Sequence, residues 1–270
     1  MKSLWPAVLF PAMVIAAAIP ASAQDAPPDG AAELAKQLAN PVASLISVPL
    51  QYNWDTNYGP DDTGSKSLLN IQPVWPFSLG EKWNLITRTI IPVVYQQDIP
   101  PGTDKSGIGD VLQSFFFSPK EPIGGWILAA GPVLLYPTAS DDLLGGGKWG
   151  SGPTVLALKQ TNGWTYGMLA NHVVSFAGDG DRADISTTFL QPFLAYITQT
   201  KTTIALNTES VYNWEDDAWS VPVNLGVSQL LKVGKRPVSL LAGVRYWAES
   251  PDNGPEDLSA RAAVTFLFPK

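Results

Sequence analysis

The residues that could do chemistry in this chain are few, and its single histidine limits them most. His172 is the only histidine among 270 residues, and cysteine is absent. Nucleophilic catalysis by a Ser–His pair needs the hydroxyl within hydrogen-bond reach of the imidazole. Ser175 is three positions from His172 and therefore points to the opposite face of an extended segment. The sequence predicts no enzymatic activity and no catalytic residues, and a partner for His172 on a neighbouring strand stays open.

Cofactor and nucleic-acid chemistry also find little support. One histidine without cysteines disfavours a transition-metal site, and the acidic loops lack EF-hand spacing, although weak binding of divalent cations by them stays open. The stretch 145–152 (GGGKWGSG) lacks the G-K-[ST] arrangement of a phosphate loop. A net charge of −7 argues against nucleic-acid binding. We predict no metal, no cofactor and no nucleic-acid partner.

The remaining polar candidates occur at alternate positions of otherwise apolar segments. In 219–231, for example, apolar residues at odd positions oppose Ser220, Asn224 and Ser228. This is the period-2 pattern of β-strands. In a membrane barrel the apolar face contacts lipid and the polar face lines the lumen. The predicted lumen-lining residues are Gln51, Asn70, Gln72, Arg88, Lys159, Gln191, Asn207, Glu209, Asn224, Arg245 and Arg261.

Within this set, Arg245 and Arg261 would be neighbours across the last hairpin. Two adjacent like charges need screening by water or an acid, and Glu209 is the candidate acid on the inward face. Two interpretations stay open: a constriction that sets charge selectivity, or a salt-bridge network that stiffens or closes a narrow barrel. Phe189 and Phe193 would turn inward as well, as an apolar lane for a hydrophobic solute or as packing against an N-terminal helix.

The elements that would position these residues are twelve alternating segments of about ten residues. Short turns and longer connections follow one another along the chain, which is typical of outer-membrane barrels. We therefore predict an all-β fold, an antiparallel transmembrane β-barrel of about twelve strands with a short N-terminal helix. The predicted strands are 45–54, 68–77, 83–95, 111–118, 125–136, 152–160, 164–176, 186–198, 202–214, 219–231, 237–248 and 258–268.

Tryptophan and proline positions bear on this prediction in opposite ways. Tryptophans fall at strand ends, where the membrane interface accommodates an apolar ring with a polar N–H. They predict two aromatic girdles made of Trp54, Trp75, Trp83, Trp126, Trp164, Trp214, Trp219 and Trp247. Prolines inside six predicted strands cannot donate to a ladder, so a closed barrel would need bulges or breaks there. A soluble secreted β-sandwich remains the alternative fold.

The chain divides into three parts. Residues 1–23 have a lysine, an apolar run and the small-x-small end Ala21-Ser22-Ala23, which predict a secretory signal peptide cleaved before Gln24. Residues 24–44 form a linker and a short helix over 31–39, placed either in the periplasm or inside the barrel. Residues 45–270 form the outer-membrane barrel domain.

Four stretches carry a resemblance to a known family: 33–55 (ELAKQLANPVASLISVPLQYNWD), 190–196 (LQPFLAY), 209–237 (ESVYNWEDDAWSVPVNLGVSQLLKVGKRP) and 266–270 (FLFPK). They resemble a bacterial outer-membrane transporter family of the phenol-degradation meta-pathway type, often mislabelled neuromedin U. The resemblance covers most of the chain after the leader. It implies a secreted β-barrel linked to uptake of aromatic or other hydrophobic compounds, and it offers no catalytic residues.

These observations predict a protein of the Gram-negative outer membrane. Its expected function is passive transport or channel activity for small solutes, with a non-conducting structural or surface-interaction barrel as the alternative. The expected partners are outer-membrane lipids, an unidentified small solute, and the barrel-assembly machinery. That machinery would recognise the C-terminal strand through Phe266 and Phe268.

Overall fold

The computed structural model describes residues 28–234 and 236–269, so the predicted signal peptide at 1–23 and residues 24–27 lie outside the described residues. One helix precedes fifteen strand segments. They are α1 (Pro28–Leu38), β1 (Ile46–Tyr58), β2 (Gly64–Ile71), β3 (Val74–Leu79), β4 (Trp83–Gln97), β5 (Lys105–Ile108), β6 (Val111–Pro119), β7 (Ile127–Tyr136), β8 (Lys148–Thr161), β9 (Trp164–Gly178), β10 (Ser186–Ile197), β11 (Thr202–Thr208), β12 (Ser210–Asn213), β13 (Ala218–Val233), β14 (Arg236–Glu249) and β15 (Leu258–Phe268).

The fifteen segments make twelve barrel strands, because three strands are each interrupted once. Segments β2 and β3 pair successively with β4, as do β5 and β6, while β11 and β12 both pair with β10 and β13. All pairings are antiparallel, and β1 pairs with β15, which joins the chain's first and last strands. The pairing of β9 with β10 completes the ring. The predicted twelve-stranded antiparallel barrel with a short helix is confirmed.

Prolines explain the three interruptions. At each one, a proline carbonyl of the neighbouring strand accepts a hydrogen bond, but the proline has no N–H to return a second one. The pairs are Pro49 with the N–H of Gln72, Pro92 with that of Gly109, and Pro222 with that of Glu209. The expected breaks are present at these three places, whereas β7 and β10 continue through Pro132 and Pro192, and one of the breaks fixes the position of Glu209.

The strands extend further toward the long-loop end than the apolar pattern indicated. Strand β1 continues to Tyr58 and β8 begins at Lys148, whereas the predicted limits were 54 and 152. Backbone pairing needs no apolar side chains, so the ladder continues past the apolar band into polar sequence. The loops are correspondingly shorter. The connection predicted at 55–67, for example, is reduced to residues 59–63.

The outer surface is an apolar belt edged by aromatic rings. Large apolar side chains such as Val155, Leu225 and Val244 are nearly half exposed at mid-strand, as residues facing lipid must be. Trp75, Trp83, Trp126 and Trp164 are exposed near the short-turn end, and Trp54, Trp149 and Trp214 near the long-loop end.

The interior contains the N-terminal segment 28–45. Val42 is 4% exposed and packs with inward side chains of the barrel wall, including Ile86, Phe116 and Leu158. Residues Ala43 and Leu45 pack with Leu267 and with α1. The side-chain amide of Gln160 donates to the carbonyl of Lys36, which ties α1 to β8. Of the two positions foreseen for the helix, the structure adopts the one at the barrel interior.

Helix α1 itself is short. The sequence predicted a helix over 31–39, and the helix spans Pro28–Leu38 instead. The Asn40 side chain accepts a hydrogen bond from the N–H of Val42. This local bond spans Pro41 and turns the chain away from the helix axis. No helix in the described ranges is both long and apolar enough to cross a membrane.

Candidate functional site in the barrel lumen

A cluster of ion pairs crosses the lumen near the long-loop half of the barrel. Glu209 accepts hydrogen bonds from Arg245 Nη2 at 2.8 Å and from Arg261 Nη1 and Nη2 at 3.0 and 2.5 Å. Both guanidinium groups are almost fully buried, with 6% of each side chain exposed. Two cations sharing one bidentate acid form charge-assisted bonds that favour a single geometry. We call Asp55, Glu209, Arg245 and Arg261 the lumen ion cluster.

Backbone register explains why these side chains meet. Asn53 lies directly opposite Arg261, and its side-chain carbonyl accepts from Arg261 Nε at 2.8 Å. Asn224 lies directly opposite Arg245 and accepts from its Nε at 2.9 Å. Glu209 enters the same level because the strand break at Pro222 leaves it between β11 and β12. Neighbouring strands thus hold each arginine by its Nε and aim its terminal nitrogens at the acid.

Asp55 completes the cluster, and sequence reasoning assigned it to a loop. It is 3% exposed, forms an ion pair with Arg245 Nη1 at 3.2 Å, and accepts a hydrogen bond from Trp247 Nε1 at 3.1 Å. The predicted strand ended at residue 54, one residue before Asp55, whereas β1 continues to Tyr58. Because Asp55 is two residues after the inward Asn53, extending the alternation by one residue would have placed it in the lumen.

Two predicted positions are corrected. Lys159 was predicted to line the lumen, but it shares the outward face of β8 with Val155, while Leu156 and Leu158 point inward and are buried. Trp247 was assigned to the aromatic girdle, but it faces the lumen, where Arg245 lies over its ring at 5.4 Å. Both errors come from strands in which apolar and polar residues occur on each face, so that period-2 patterning does not choose between the faces.

The other predicted lumen residues point inward. Gln51 is paired with Asn70, Gln191 with the buried Leu169, and Asn207 with Asn224. Gln72 accepts a hydrogen bond from Arg88 Nη2 at 2.7 Å. The aromatic residues Phe189 and Phe193 also point inward and pack against the apolar cluster that contains Val42. The other predicted girdle tryptophan, Trp219, packs on Tyr212 with 4.9 Å between ring centroids.

Two further cations line the lumen outside the lumen ion cluster. Besides the four members of the lumen ion cluster, Arg88 and Lys66 project from the same inner surface, Lys66 directly opposite Asp55. The two acids are already engaged by arginines, and no carboxylate lies within 4.0 Å of Arg88 in residues 28–234 and 236–269. The lumen therefore carries uncompensated positive charge, which attracts anions.

The loops at the long-loop end are folded against one another. Lys105 donates to Asp141 at 2.5 Å, and Asp110 accepts from the N–H groups of Ala139 and Gly146. Arg182 donates to the carbonyl oxygens of Asp142 and Gly145. The acidic residues of these loops thus hold the loop structure at the outer end of the barrel.

Acidification should loosen one of these loops. A hydrogen bond from Thr63 and a second from the N–H of Gly102 lower the pKa of the Asp98 carboxyl below its ordinary 3.8. A lowered folded-state pKa contributes stability that is fully present above 3.8 and is lost as pH falls through the lowered value. We expect the NMR shift of the Gly102 amide to titrate below 3.8. The Thr63→Ala variant should move that midpoint upward, and an unchanged midpoint would contradict this role of Thr63.

The fold is shared with solved outer-membrane barrels. An outer membrane channel from Pseudomonas putida F1 superimposes with a TM-score of 0.63 at 16% identity, covering 83% of this chain and 96% of that one. The NanC porin gives 0.52 at 11% identity over 83% of this chain and all of that one. Outer membrane phospholipase A from Escherichia coli gives 0.51 at 12% identity, with 83% and 90% covered.

The sequence comparisons found no match, neither to a family model nor to a curated protein. At these identities the structural likeness shows the fold. Together with the outward apolar belt and its aromatic borders, the fold makes this chain an outer-membrane β-barrel, as predicted.

The prediction of no enzymatic activity is wrong as a deduction, since phospholipase A, an enzyme, has this same barrel fold. The prediction rested on the hydroxyls near His172 in sequence and left a partner on a neighbouring strand open. In the barrel, Thr188 of the neighbouring strand lies directly opposite, with its hydroxyl 2.9 Å from His172 Nδ1. Thr188 also accepts a hydrogen bond from Trp214 Nε1 at 2.9 Å. Spacing along one strand is therefore no ground for excluding a hydroxyl–imidazole pair.

Proposed function

We propose that this protein is a passive outer-membrane channel for small solutes, narrowed at two levels. The lumen ion cluster narrows it in the long-loop half, and segment 28–45 narrows it at the short-turn end. The observation that carries the proposal is the partly polar inner surface of a closed barrel that still encloses cavities beside segment 28–45. One such cavity, of about 250 Å³, lies between α1 and the inward residues of β10, β11 and β13–β15.

Charge supports a preference among solutes. Side chains that line a pore set its ion selectivity, and Lys66 and Arg88 add two cations to a cluster of two arginines and two acids. A channel of this kind should conduct anions in preference to cations. The solved channel and porin with this fold are compatible with the proposal. The solutes that those two proteins transport are not assigned to this chain.

A non-conducting barrel is the second candidate, because two observations favour it. The apolar contacts of Val42 fill part of the lumen, and the ion cluster joins β1, β14 and β15 to Glu209 across it. Barrels of eight strands are filled by side chains and those of sixteen leave open channels, so twelve strands allow either outcome. In this case the cluster would stiffen the barrel rather than select solutes.

The resemblance in sequence suggests a finer function, the uptake of aromatic or other hydrophobic compounds. Phe189 and Phe193 face inward, but they pack against the cluster around Val42 rather than along an open path. A hydrophobic route past these rings therefore requires segment 28–45 to move. We include this uptake in the proposal as a consequence of such movement.

Planar-bilayer recording tests the proposal directly. The purified, detergent-refolded protein without its leader should give discrete current steps, and its reversal potential in a salt gradient should indicate preference for anions. Insertion is verified independently by protease protection of the same protein reconstituted into lipid vesicles. An absence of current steps despite verified insertion would contradict the channel and favour the structural barrel.

A further inference from the structure

One arginine in the lumen has no carboxylate in contact with it among the residues that the structure describes. Arg88 on β4 points inward, and its one hydrogen bond within residues 28–234 and 236–269 goes to the neutral side-chain carbonyl of Gln72. A guanidinium has five N–H donors, so most of those of Arg88 are not used by the described protein. Both lumen acids are engaged elsewhere, Glu209 by two arginines and Asp55 by Arg245 and Trp247.

The unused donors of Arg88 face a cavity. It has a volume of about 190 Å³ and lies between segment 37–45 and the inner wall of the barrel. Gln72, Gln191 and Thr265 supply polar groups to it, whereas Leu38, Leu45 and Val74 supply apolar surface. A cavity with a cation, a few polar groups and apolar walls is the usual form of a small-molecule site.

A second cavity lies directly beside this one. The two share Leu38, Pro41, Gln191 and Thr265 as lining residues, and the second reaches Phe193. A ligand bound to Arg88 would therefore have room for an apolar body that extends away from the guanidinium. Inorganic anions would use the charge but leave the apolar walls in contact with nothing.

We propose that Arg88 and this cavity form a binding site for a small organic carboxylate with an apolar body. The planar guanidinium matches a carboxylate in bidentate geometry, and the low-dielectric surroundings strengthen the contact. The apolar walls add affinity by removing the ligand's body from water. The inference names the solute class of the proposed channel and rests on that function for its role in transport, although binding itself does not require conduction.

Fluorine NMR titration of the full-length protein in detergent tests the site. The probe is 4-fluorobenzoate, and 4-fluorobenzyl alcohol serves as the neutral match that corrects for partition into micelles. The wild type should broaden the carboxylate signal specifically, and Arg88→Gln should weaken this binding about tenfold or more, as expected when a charged hydrogen bond is lost. Arg88→Lys should retain part of it.

Two matched variants give the control. Lys159→Gln removes the same charge from the outer face of the barrel and should leave binding unchanged. Lys66→Gln removes it from another inward position, and a loss as large as that of Arg88→Gln would overturn the proposal, because net lumen charge would then suffice. Displacement of the probe by equimolar inorganic phosphate would overturn the organic-carboxylate assignment. Circular dichroism verifies that each variant is folded.

The outcome is separable from that of the proposed channel. Carboxylate binding without current steps would retain the Arg88 site and reject the channel. Current steps without specific carboxylate binding would do the reverse.

Discussion

Replacing Glu209 with glutamine should destabilise the barrel more than any other single conservative change in the lumen. The variant keeps the shape of the side chain but leaves Arg245 and Arg261 facing each other with Asp55 as their one remaining acid. Removing one partner of a buried ion pair costs about 3–5 kcal/mol, and we expect about 3 kcal/mol because Glu209 is partly accessible from the lumen. Urea unfolding in lipid vesicles, followed by tryptophan fluorescence, measures the change.

The matched control is Glu249→Gln. Glu249 is exposed at the end of β14, the strand that also carries Arg245. We expect its free energy of unfolding to stay within about 0.5 kcal/mol of the wild type, as for most surface substitutions. A double-mutant cycle between Glu209→Gln and Arg261→Gln should show coupling, since the two side chains are in contact. If Glu209→Gln were as stable as Glu249→Gln, the cluster would have no structural role.

Replacing Val42 with aspartate should release the N-terminal segment from the lumen while the barrel stays folded. Val42 packs in an apolar cluster, where an unpaired carboxylate is strongly disfavoured. The barrel ladder begins at Ile46, so it loses no backbone hydrogen bond when segment 28–45 leaves. Burial of a valine is worth about 1.5–3 kcal/mol, which corresponds to at least about a tenfold rise in the opened population. Trypsin cleavage at Lys36 in folded protein measures this population.

The control for this variant is Ser44→Asp. Ser44 is exposed, and an aspartate there can still accept the hydrogen bond that Asn84 donates to the serine hydroxyl. Cleavage should remain at the wild-type rate. Equal cleavage rates in Val42→Asp and the wild type would show that the Val42 contacts do not hold the segment. Loss of the whole barrel in Val42→Asp would show that the segment is part of its core.

The architecture could be predicted because it depends on local patterns. Alternation along each strand and tryptophan at strand ends sufficed for the strand count and for the outward face. Strand limits could not be obtained the same way, since pairing continues into polar sequence beyond the apolar band. That is why Asp55 was assigned to a loop. The proline breaks were expected, but the break that brings Glu209 into the lumen depends on which strand lies beside Pro222.

The site was predictable only in part. The inward direction of Arg245, Arg261 and Glu209 follows from alternation. Two adjacent arginines need an acid between them, which predicts their ion pairs with Glu209. The inward direction of Trp247 follows from the same alternation, two residues after Arg245, but its position near a strand end also fits an aromatic girdle, so the pattern alone did not choose between the two. The contact of Thr188 with His172 depends on the register between β9 and β10, which no pattern within one strand contains.

We propose that the conducting barrel is narrowed by its own N-terminal segment. Single-channel conductance of the protein without its leader, recorded beside a variant that also lacks residues 24–44, tests this claim most directly. We expect small steps from the former and distinctly larger, anion-preferring steps from the latter. Identical steps from both proteins would contradict the role of the segment, and silence from both after verified insertion would contradict the channel itself.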